Sequence, residues 1–436
     1  MKFILSLCLF YFSLHIAVAQ QHTLITNVEI FDGKAEKTKK GHVLIKDGKI
    51  SKISSKTISV DQSSTTVLDG SGKFLMPGLI DAHYHTMFAS LPQMVLLTAD
   101  IGFVNLVASK NAENLLMNGF TSLRDLGGPV FGLKQAIDKG VTKGPRIWPS
   151  GAFISQTGGH GDFRLPNDIP SDPSNGLSYG EKINATAIAD SPDAVRLKAR
   201  EQLMKGASQI KLMAGGGVSS LYDPLDVTQY TLKEIEAAVE AAENWGTYVT
   251  VHAYTPRAIQ QAIEAGVKCI DHGQLINEET VKLMVEKGVT WSLQPFTDEG
   301  NTSGLSPESR AKQLEMYQGT DNAFALAKKY NMKIAYGTDV LFNKAKASQP
   351  HLQLLKMKRW FSNFEILKMA TSNNAELLAM SGKRSPYTGK LGVIEEGALA
   401  DILIVNGNPL KNLELFTDTK NILLILKNGE VVKNQL

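Results

Sequence analysis

Short apolar or alternating runs separated by tight turns occupy both ends of the chain. Near the beginning they cover residues 24–30, 43–45 and 50–53, and the same texture returns at 400–405 and 422–426. The dipeptides between these runs favour hairpin turns, and they are Asp32-Gly33, Asp47-Gly48, Asp69-Gly70 and Asn428-Gly429. The two ends, residues 20–75 and 388–436, are therefore predicted to form together one small β-sandwich domain.

Between the ends, over about residues 76–387, short apolar strands alternate with stretches of helical period such as 232–245 and 256–265. The first strand ends at residues 81–85, and the other seven cover 121–125, 146–150, 209–213, 248–253, 268–272, 290–293 and 333–339. Eight strands, each followed by a helix or a long loop, predict an α/β fold, the (β/α)8 TIM barrel. The alternative is an open doubly wound sheet, but no Gly-rich phosphate loop follows any of these strands.

The first nineteen residues differ from both patterns. Lys2 gives a short positive start, residues 3–16 are almost wholly apolar, and Ala17-Val18-Ala19 supplies small residues typical of a cleavage site. Residues 1–19 are therefore predicted to be a signal peptide, and the mature protein is expected to be exported, periplasmic or secreted. The alternative is an uncleaved N-terminal anchor. No later stretch is predicted to span a membrane.

Composition adds little to this picture. Of 436 residues, 43% are apolar and 20% charged, and 46 basic residues against 43 acidic ones give a formal net charge of +3. A nearly neutral chain gives no reason to expect binding to nucleic acid or to an anionic membrane surface. A small-molecule substrate is the expected partner, and a homo-oligomer remains open.

Candidate chemistry begins where the first strand of the middle region ends, at Asp81-Ala82-His83-Tyr84-His85. Alternate residues of a strand point to the same face, so His83 and His85 can bind one metal ion together. Neutral imidazole is a common ligand of zinc and similar ions. The alternative for an isolated pair of this kind is two solvated histidines in a surface loop.

Further polar residues lie in or at the end of the predicted barrel strands, and they are Lys211, His252, His272 and Asp339. Active sites of such barrels lie at the carboxyl ends of the strands, so these side chains are expected to meet the two histidines at one rim. Each has an ordinary alternative: a strand-end histidine is often a core or loop residue, and Asp339 could cap the next helix. Lys211 is harder to explain in this way, because a lysine among apolar neighbours carries a large desolvation cost unless it is paired or neutralised.

One arrangement satisfies all six residues, namely two divalent cations that share the rim. Four imidazoles and one carboxylate are too few to hold two ions with a bridging hydroxide. A carbamate formed on Lys211 by carbon dioxide, which is N6-carboxylysine, would convert a costly buried cation into a bridging anionic ligand. We therefore expect this modification together with two divalent metal ions, and zinc is the expected metal.

The order of these residues, an HxH motif followed by Lys, His, His and Asp on strands four, five, six and eight, resembles the binuclear type of the amidohydrolase superfamily. The resemblance covers nearly the whole mature chain, including residues 389–394 and 397–401. Residues 119–125, 155–162 and 251–256 resemble the imidazolonepropionase-like branch, which includes metal-dependent Xaa-Pro and Xaa-Arg/Lys dipeptidases.

The resemblance implies a role for each residue. His83, His85 and Asp339 would bind the more buried ion. His252 and His272 would bind the more exposed one, and the carboxylated lysine would bridge the two. A bridging hydroxide would be the nucleophile, and Asp339 would be the catalytic residue that takes its proton and passes it to the leaving amine.

Substrate contacts are expected at the same rim. His160 and Tyr254 follow strands three and five and are expected to hold the substrate carbonyl or its α-carboxylate. The alternatives are that His160 orders its Gly-rich turn and that Tyr254 packs over the histidine two residues before it. Arg124, at the end of strand two, could meet a carboxylate, but bracing of the barrel through Asp125 or Asp162 is favoured.

The leading hypothesis is an exported amidohydrolase with two metal ions that hydrolyses the amide bond of a dipeptide or an N-acyl amino acid. A second hypothesis is hydrolysis of a cyclic amide or lactone, which would release no amine fragment. A third, from another class of protein, is a secreted binding protein that keeps the fold without turnover. The presence of all six ligands argues against the third.

Overall fold

The computed structural model describes residues 22–168, 176–300 and 306–436, and the predicted signal peptide lies outside these ranges. The strands are β1 (His22–Ile30), β2 (Lys39–Lys46), β3 (Lys49–Ser54), β4 (Thr65–Asp69), β5 (Phe74–Pro77), β6 (Leu79–Tyr84), β7 (Phe120–Asp125), β8 (Arg146–Pro149), β9 (Phe153–Ser155), β10 (Thr186–Ile188), β11 (Ile210–Met213), β12 (Val249–Ala253), β13 (Cys269–His272), β14 (Thr290–Ser292), β15 (Ile334–Ala335), β16 (Ile402–Val405), β17 (Ile422–Lys427) and β18 (Glu430–Asn434). The α-helices are α1 (Gln93–Thr98), α2 (Ile101–Met117), α3 (Phe131–Asp138), α4 (Tyr179–Lys182), α5 (Pro192–Met204), α6 (Leu232–Asn244), α7 (Pro256–Glu264), α8 (Glu278–Lys287), α9 (Pro307–Lys329), α10 (Lys344–Ser348), α11 (His351–Lys356), α12 (Asn363–Lys368) and α13 (Asn374–Ala379).

Both ends of the chain contribute to one eight-stranded sheet, which has the strand order β18-β17-β16-β5-β1-β2-β3, with β4 paired to β1. β5 joins the two ends, because it lies parallel to β1 and antiparallel to β16, with Leu75 opposite Ile404. The apolar side chains of this sheet form a core cluster around Ile25, Ile45 and Leu424. The prediction that both ends build one β-structure is confirmed, whereas its arrangement as a sandwich of two packed sheets stays a prediction.

Two hairpins of this sheet have the predicted turns. β2 and β3 pair antiparallel across Asp47 and Gly48, whose φ angles are 51° and 72°. β17 and β18 pair antiparallel across Asn428 and Gly429, whose φ angles are 56° and 75°. Left-handed φ angles at both central residues define a type I′ turn, which explains why Asx-Gly pairs occupy these positions.

The middle of the chain contains parallel strands that neighbour one another in chain order. β6-β7-β8 form one sheet, and β9-β11-β12-β13-β14-β15 form a second, with β10 at its edge. The Ala82 amide donates to the Tyr336 carbonyl at 2.9 Å, and this bond connects β6 with the residue that follows β15. The Ser208 amide, just before β11, donates to the carbonyl of Pro149 in β8 at 2.7 Å. The α/β class and the strand order are confirmed, whereas closure into a (β/α)8 barrel stays a prediction.

Helices follow these strands, and the local sequence explains where they begin. At the start of α6, Glu234 Oε2 accepts a hydrogen bond from the Thr231 amide at 2.7 Å. Pro256 is the first residue of α7, where its missing N–H costs no helical hydrogen bond. Asn277 caps α8, because its side-chain oxygen accepts from the Thr280 amide at 3.0 Å.

Three features differ from the predicted elements. The third strand is divided into β8 and β9, and the long connection that follows contains the additional strand β10. The last parallel strand, β15, has only two residues, so Asp339 lies beyond it in a turn. The predicted domain boundary between residues 75 and 76 falls inside β5, and the division into domains stays a prediction. Within the described ranges, no helix is long and apolar enough to cross a membrane.

Candidate metal centre

The buried end of β6 brings two histidines to the carboxylate of Asp339. His83 Nε2 lies 3.3 Å and His85 Nε2 lies 3.2 Å from Asp339 Oδ1. One ligand atom from each of these three side chains lies within 4.8 Å of the other two. Two imidazole nitrogens and a carboxylate oxygen are a donor set that suits zinc and other divalent ions, so these residues fit a metal ion.

Asp339 reaches this position in the loop that follows β15. Its amide donates to the His83 carbonyl at 2.8 Å, and its φ angle is 47°, in the left-handed region that aspartate tolerates better than most residues with a Cβ atom. Two residues earlier, a Cβ atom on Gly337 would lie only 2.5 Å from the Cβ of His83. Only glycine lets the turn approach β6 this closely, so the short β15 and Gly337 together place the carboxylate.

His252 and His272 come from the neighbouring strands β12 and β13 and extend the cluster. Their ring centroids are 4.6 Å apart, and the His272 ring lies 4.9 Å from the His83 ring. His272 Nδ1 is 4.0 Å from Asp339 Oδ2. The parallel register places His252 opposite the residue before His272, so both histidines end at the same edge of the sheet. The structure therefore brings together all four predicted histidines and the predicted aspartate.

Hydrogen bonds determine which nitrogen of each ring carries a proton. Gln294 Nε2 donates to the Ser292 carbonyl at 3.1 Å, and Gln294 Oε1 lies 2.8 Å from His272 Nδ1. That nitrogen must therefore be the donor, which leaves Nε2 of His272 with its lone pair. His252 Nε2 lies 3.0 Å from the Gly216 carbonyl and must donate to it, which leaves Nδ1 with the lone pair.

Lys211 lies within β11 and is only 1% exposed. Its Nζ donates to Asp271 Oδ2 at 2.5 Å. Burial lowers the pKa of Lys211, and the negative charge of Asp271 opposes that shift. The charge of Lys211 in turn contributes to the lowered pKa of His252 and of His272, although burial is the largest cause for both rings. Lys211 thus shares the cluster, while its carboxylation stays a prediction.

Asp271 is a central residue of the cluster that the sequence reasoning missed. It accepts from Arg124 Nη2 at 2.7 Å, from Thr250 Oγ1 at 2.8 Å and from Lys211. Burial would raise the pKa of Asp271, but the charges of Lys211 and Arg124 outweigh burial and lower it. Arg124 also donates from Nε to the Ala82 carbonyl at 2.6 Å. Arg124 therefore braces the centre, but the predicted partners Asp125 and Asp162 are wrong, because its acidic partner is Asp271 and Asp162 pairs with Arg164.

The sequence reasoning also missed two further polar residues of the centre. Gln294, just after β14, orients His272, and its Nε2 also lies 3.3 Å from His83 Nδ1. Asp81 accepts from Thr338 Oγ1 at 2.7 Å and from the His83 amide at 3.0 Å. Burial raises the pKa of Asp81 to about 7. Each of these residues follows an apolar run in the sequence. The same pattern predicted the histidines, so it could have identified these residues as well.

His160 and Tyr254 both lie against His252. The His160 ring stacks on the His252 ring with centroids 4.0 Å apart, and the Tyr254 ring lies 4.8 Å from it, nearly at a right angle. His160 Nδ1 is 2.8 Å from Ser220 Oγ, and burial lowers the pKa of His160 to about 4. A Cβ atom at Gly217 would lie 1.9 Å from His160 Nδ1, so this position also requires glycine. Both predicted substrate contacts are thus part of the cluster, while their role stays a prediction.

Comparisons with known proteins agree with this geometry. Ochratoxinase of Aspergillus niger is 33% identical over 379 residues, which cover 82% of this chain and 75% of that protein. A solved amidohydrolase is 36% identical with a TM-score of 0.85, over 95% of this chain and 100% of its own. A solved prolidase in complex with N-methylphosphonate-L-proline is 34% identical with a TM-score of 0.86, over the same shares of the two chains.

The family model for the amidohydrolase family matches residues 74–432, which is most of the chain. This range includes every residue of the candidate metal centre. The curated relative is named an ochratoxinase, and the two solved neighbours are named an amidohydrolase and a prolidase, in agreement with the resemblance found in the sequence. The chain therefore belongs to the amidohydrolase family, and it is a hydrolase that acts on carbon–nitrogen bonds.

Proposed function

We propose that the protein is an exported amidohydrolase with two metal ions, and that it hydrolyses the amide bond of a dipeptide or an N-acyl amino acid. The observation that carries the proposal is the convergence of His83, His85 and Asp339 within 4.8 Å. His252 and His272 extend this group on the side that faces the two expected substrate contacts. The proposed architecture is a closed (β/α)8 barrel with a terminal β-sandwich.

In this proposal the residues divide into two ligand groups. His83, His85 and Asp339 would hold one divalent ion, and His252 and His272 would hold the other. Lys211, carboxylated on Nζ, would supply a further anionic ligand. When bound, such ions lower the pKa of a coordinated water and polarise the carbonyl of the scissile amide.

The protein's own groups then orient the substrate and move the proton. Asp339 would accept a proton from the attacking water and return it to the leaving nitrogen, and the contacts of its Oδ1 with His83 and His85 support this role. His160 and Tyr254 would hold the substrate carbonyl or α-carboxylate, and their packing against His252 supports this role. Hydrolysis in this form yields a carboxylic acid and an amine.

The relatives support an amide substrate of this size. The prolidase neighbour was solved with N-methylphosphonate-L-proline, and its chain is 34% identical to this one. A cyclic amide or lactone would instead open to a single product, with no separate amine fragment. Product analysis by mass spectrometry separates these two outcomes for any substrate that reacts.

The test uses the protein purified from residue 20 onward. We expect about two equivalents of zinc or a similar ion per chain by elemental analysis, and release of free amine from part of a library of dipeptides and N-acyl amino acids. The variant His83→Asn should lose both metal and activity, whereas His42→Asn in β2 should retain both. A chain that carries no metal and cleaves no amide, when assayed with added Zn²⁺ and bicarbonate, would contradict the proposal.

Carboxylation of Lys211 and export need separate tests. Bicarbonate labelled with ¹³C should give a carbamate signal in the NMR spectrum of the wild-type protein, and this signal should be absent from Lys211→Ala. For export, the protein expressed from the full-length sequence should appear in the periplasm or medium with residues 1–19 removed and Gln20 as its first residue. Full-length protein that stays in the cytoplasm with residues 1–19 attached would contradict export alone and leave the hydrolase proposal intact.

A further inference from the structure

Lys312, in the second turn of α9, is a half-buried cation that is bonded to backbone carbonyls. Its Nζ donates to the Ser220 carbonyl at 3.2 Å and to the Asp223 carbonyl at 3.1 Å. No carboxylate of the residues that the structure describes forms an ion pair with this lysine. An ammonium group has three donors and a full positive charge, so one donor and the charge remain uncompensated within this part of the chain.

The two residues that hold Lys312 also lie against His160, one of the expected substrate contacts. Ser220 Oγ is 2.8 Å from His160 Nδ1, and Asp223 Oδ2 is 3.9 Å from the same nitrogen. Burial is the largest cause of the lowered pKa of His160, and the positive charge of Lys312 is one of the smaller causes. The ammonium group is therefore close enough to act on the ring that stacks on His252.

The packing of α9 places this lysine over the carboxyl ends of the strands. Met316, one turn after Lys312, belongs to a buried apolar cluster that includes Tyr254, just after β12. One turn further along the helix, a Cβ atom on Gly319 would lie 2.1 Å from the carbonyl oxygen of Gln274, just after β13. Side chains three or four positions apart share one face of a helix, so Lys312 lies on the face of α9 that packs on these two strand ends.

Three other cations in and around the centre already have acidic partners. Arg124 and Lys211 both pair with Asp271. Arg164, in the connection after β9, pairs with the aspartate two residues before it. A cation that is paired at close range attracts a further anion much less than an unpaired one. Of these four cations, Lys312 is therefore the one whose charge is available to a substrate.

The carboxylate of Asp223 is bonded elsewhere, although its carbonyl receives the lysine. Asp223 Oδ2 accepts from the Gly217 amide at 2.8 Å and from Gln229 Nε2 at 3.1 Å. Gln229 Oε1 in turn accepts from the His160 amide at 3.0 Å. These bonds order the loop around His160, and they leave Lys312 with neutral acceptors alone among the described residues.

We propose that Lys312 binds the α-carboxylate of the amino acid that leaves after hydrolysis. A carboxylate is the anion that dipeptides and N-acyl amino acids share, and its hydrogen bond to an ammonium group is strengthened by both charges. His160 and Tyr254 are then left to contact the carbonyl of the scissile amide. This inference rests on the proposed function and specifies that the substrates are amides with a free carboxylate on the amine side.

The kinetic test compares a free acid with its carboxamide. The dipeptide or N-acyl amino acid that reacts fastest is assayed beside the same compound with its α-carboxylate converted to a carboxamide, and the released amine fragment is measured by mass spectrometry. We expect the wild-type kcat/KM to be at least about tenfold higher for the acid, because the carboxamide lacks the charge-assisted bond. Lys312→Gln should reduce this ratio to near one, whereas Lys312→Arg should retain most of it because the charge is kept.

Lys328→Gln is the matched control and should keep the wild-type ratio, because Lys328 lies on the same helix and donates to the Trp360 carbonyl at 2.7 Å. The inference is overturned if the wild-type ratio is near one. It is also overturned if Lys312→Gln loses activity equally toward the acid and the carboxamide, because a lysine that only holds the loop would affect both alike. Lys312→Met provides a second uncharged side chain, so misfolding of one variant does not remove the test.

A binding measurement separates failure of this inference from failure of the proposed function. If no amide of the library is cleaved, N-acetyl-L-phenylalanine and its carboxamide are titrated into the protein with added Zn²⁺ and followed by ligand-observed NMR. Binding of the acid that is at least about tenfold tighter, and no longer so in Lys312→Gln, means that the proposed function fails and the carboxylate site stands. Equal binding of the two probes, or binding of neither, overturns the site as well. Cleavage of amides without preference for the acid overturns the site alone.

Discussion

Two regions of this molecule are equally buried and opposite in chemistry. The core of the terminal sheet consists of aliphatic side chains, among them Ile25 and Leu424 with no exposed surface. The centre at the ends of the parallel strands is as inaccessible, yet Arg124, Lys211 and Asp271 there are at most 1% exposed. Burial of aliphatic surface stabilises a fold by about 25 cal/mol per Å². Burial of charge opposes folding unless each charge is paired. We therefore infer that the buried charges of the second region serve the activity of the centre and not the stability of the fold.

The backbone shows the same contrast. In the terminal sheet, left-handed φ angles occur at Asn27, Asp47 and Asn428, which are residue types that tolerate this conformation. At the centre they occur at His272 and Asp339, and three residues after Asp339 they occur at Phe342, whose bulky side chain makes the conformation unfavourable. In the sheet the choice of residue thus relieves the unfavourable conformation, whereas at Phe342 beside the centre it does not. The following predictions test this contrast between a region built for stability and a region built for activity.

The largest effect is expected for Asp339→Asn. Asparagine keeps the shape of the side chain but cannot accept the proton from the attacking water, so kcat/KM should fall by about 10³- to 10⁴-fold. The midpoint of thermal unfolding should fall, because, against the effect of burial, the contacts with His83 and His85 lower the pKa of Asp339 well below its ordinary value, and its ionised carboxylate therefore stabilises the fold at neutral pH. Asp226→Asn, an exposed residue, is the control and should change neither quantity. Activity within tenfold of wild type in a metal-loaded Asp339→Asn protein would show that this carboxylate is not the proton acceptor.

Arg124→Met should cause the next largest change. It leaves the fully buried Asp271 without its guanidinium partner, and breaking a buried pair in this way costs about 3–5 kcal/mol. Urea unfolding monitored by circular dichroism measures the loss. Arg196→Met is the control, because Arg196 pairs with Glu240 at the surface, and it should unfold as the wild type does. An equal change in the free energy of unfolding of the two variants would mean that the buried pair of Arg124 and Asp271 contributes no more to stability than a surface pair.

Leu424→Ala probes the opposite region. The side chain is fully buried in β17, so its truncation leaves a cavity and should cost about 2–4 kcal/mol in the free energy of unfolding. The kcat of the folded enzyme should remain unchanged, because no contact of the metal centre is altered. Val431→Ala on β18, where Val431 is 50% exposed, should cost much less. A large fall in kcat without loss of metal would link the terminal sheet to catalysis and remove the contrast.

Gln294→Leu is expected to weaken metal binding by about 10- to 100-fold, because the variant no longer accepts the proton on His272 Nδ1. Titration with a zinc chelator of known affinity measures the change. Gln260→Leu removes a half-buried side-chain bond to Thr280 between α7 and α8 and should bind zinc as the wild type does. Metal affinity equal to wild type in Gln294→Leu would mean that the His272 tautomer is set by other groups.

The sequence predicted features that depend on local patterns. The Asx-Gly pairs gave the hairpin at Asp47-Gly48, and polar residues that end apolar strands gave His252 and His272, which the structure brings together. The sequence did not predict contacts between side chains that lie far apart along the chain. Gln294 orients a histidine from another strand, and nothing in its local sequence states that contact.

Asp271 was missed for the same physical reason. A single aspartate before a histidine does not indicate that its side chain will meet Lys211 in the folded chain.

The smallest expected effect concerns Asn27, which has a φ angle of 57° at the irregular register between β1 and β2. Asn27→Ala places a residue with a Cβ atom in the left-handed region and should destabilise the fold by about 1 kcal/mol more than Asn27→Gly. Both variants lose the same bond from Asn27 Nδ2 to Asp69, so the difference between them isolates the backbone conformation. Urea unfolding of the two proteins side by side measures it. If the two variants unfold identically, residue choice does not relieve strain in the sheet, and the backbone contrast between the two regions fails.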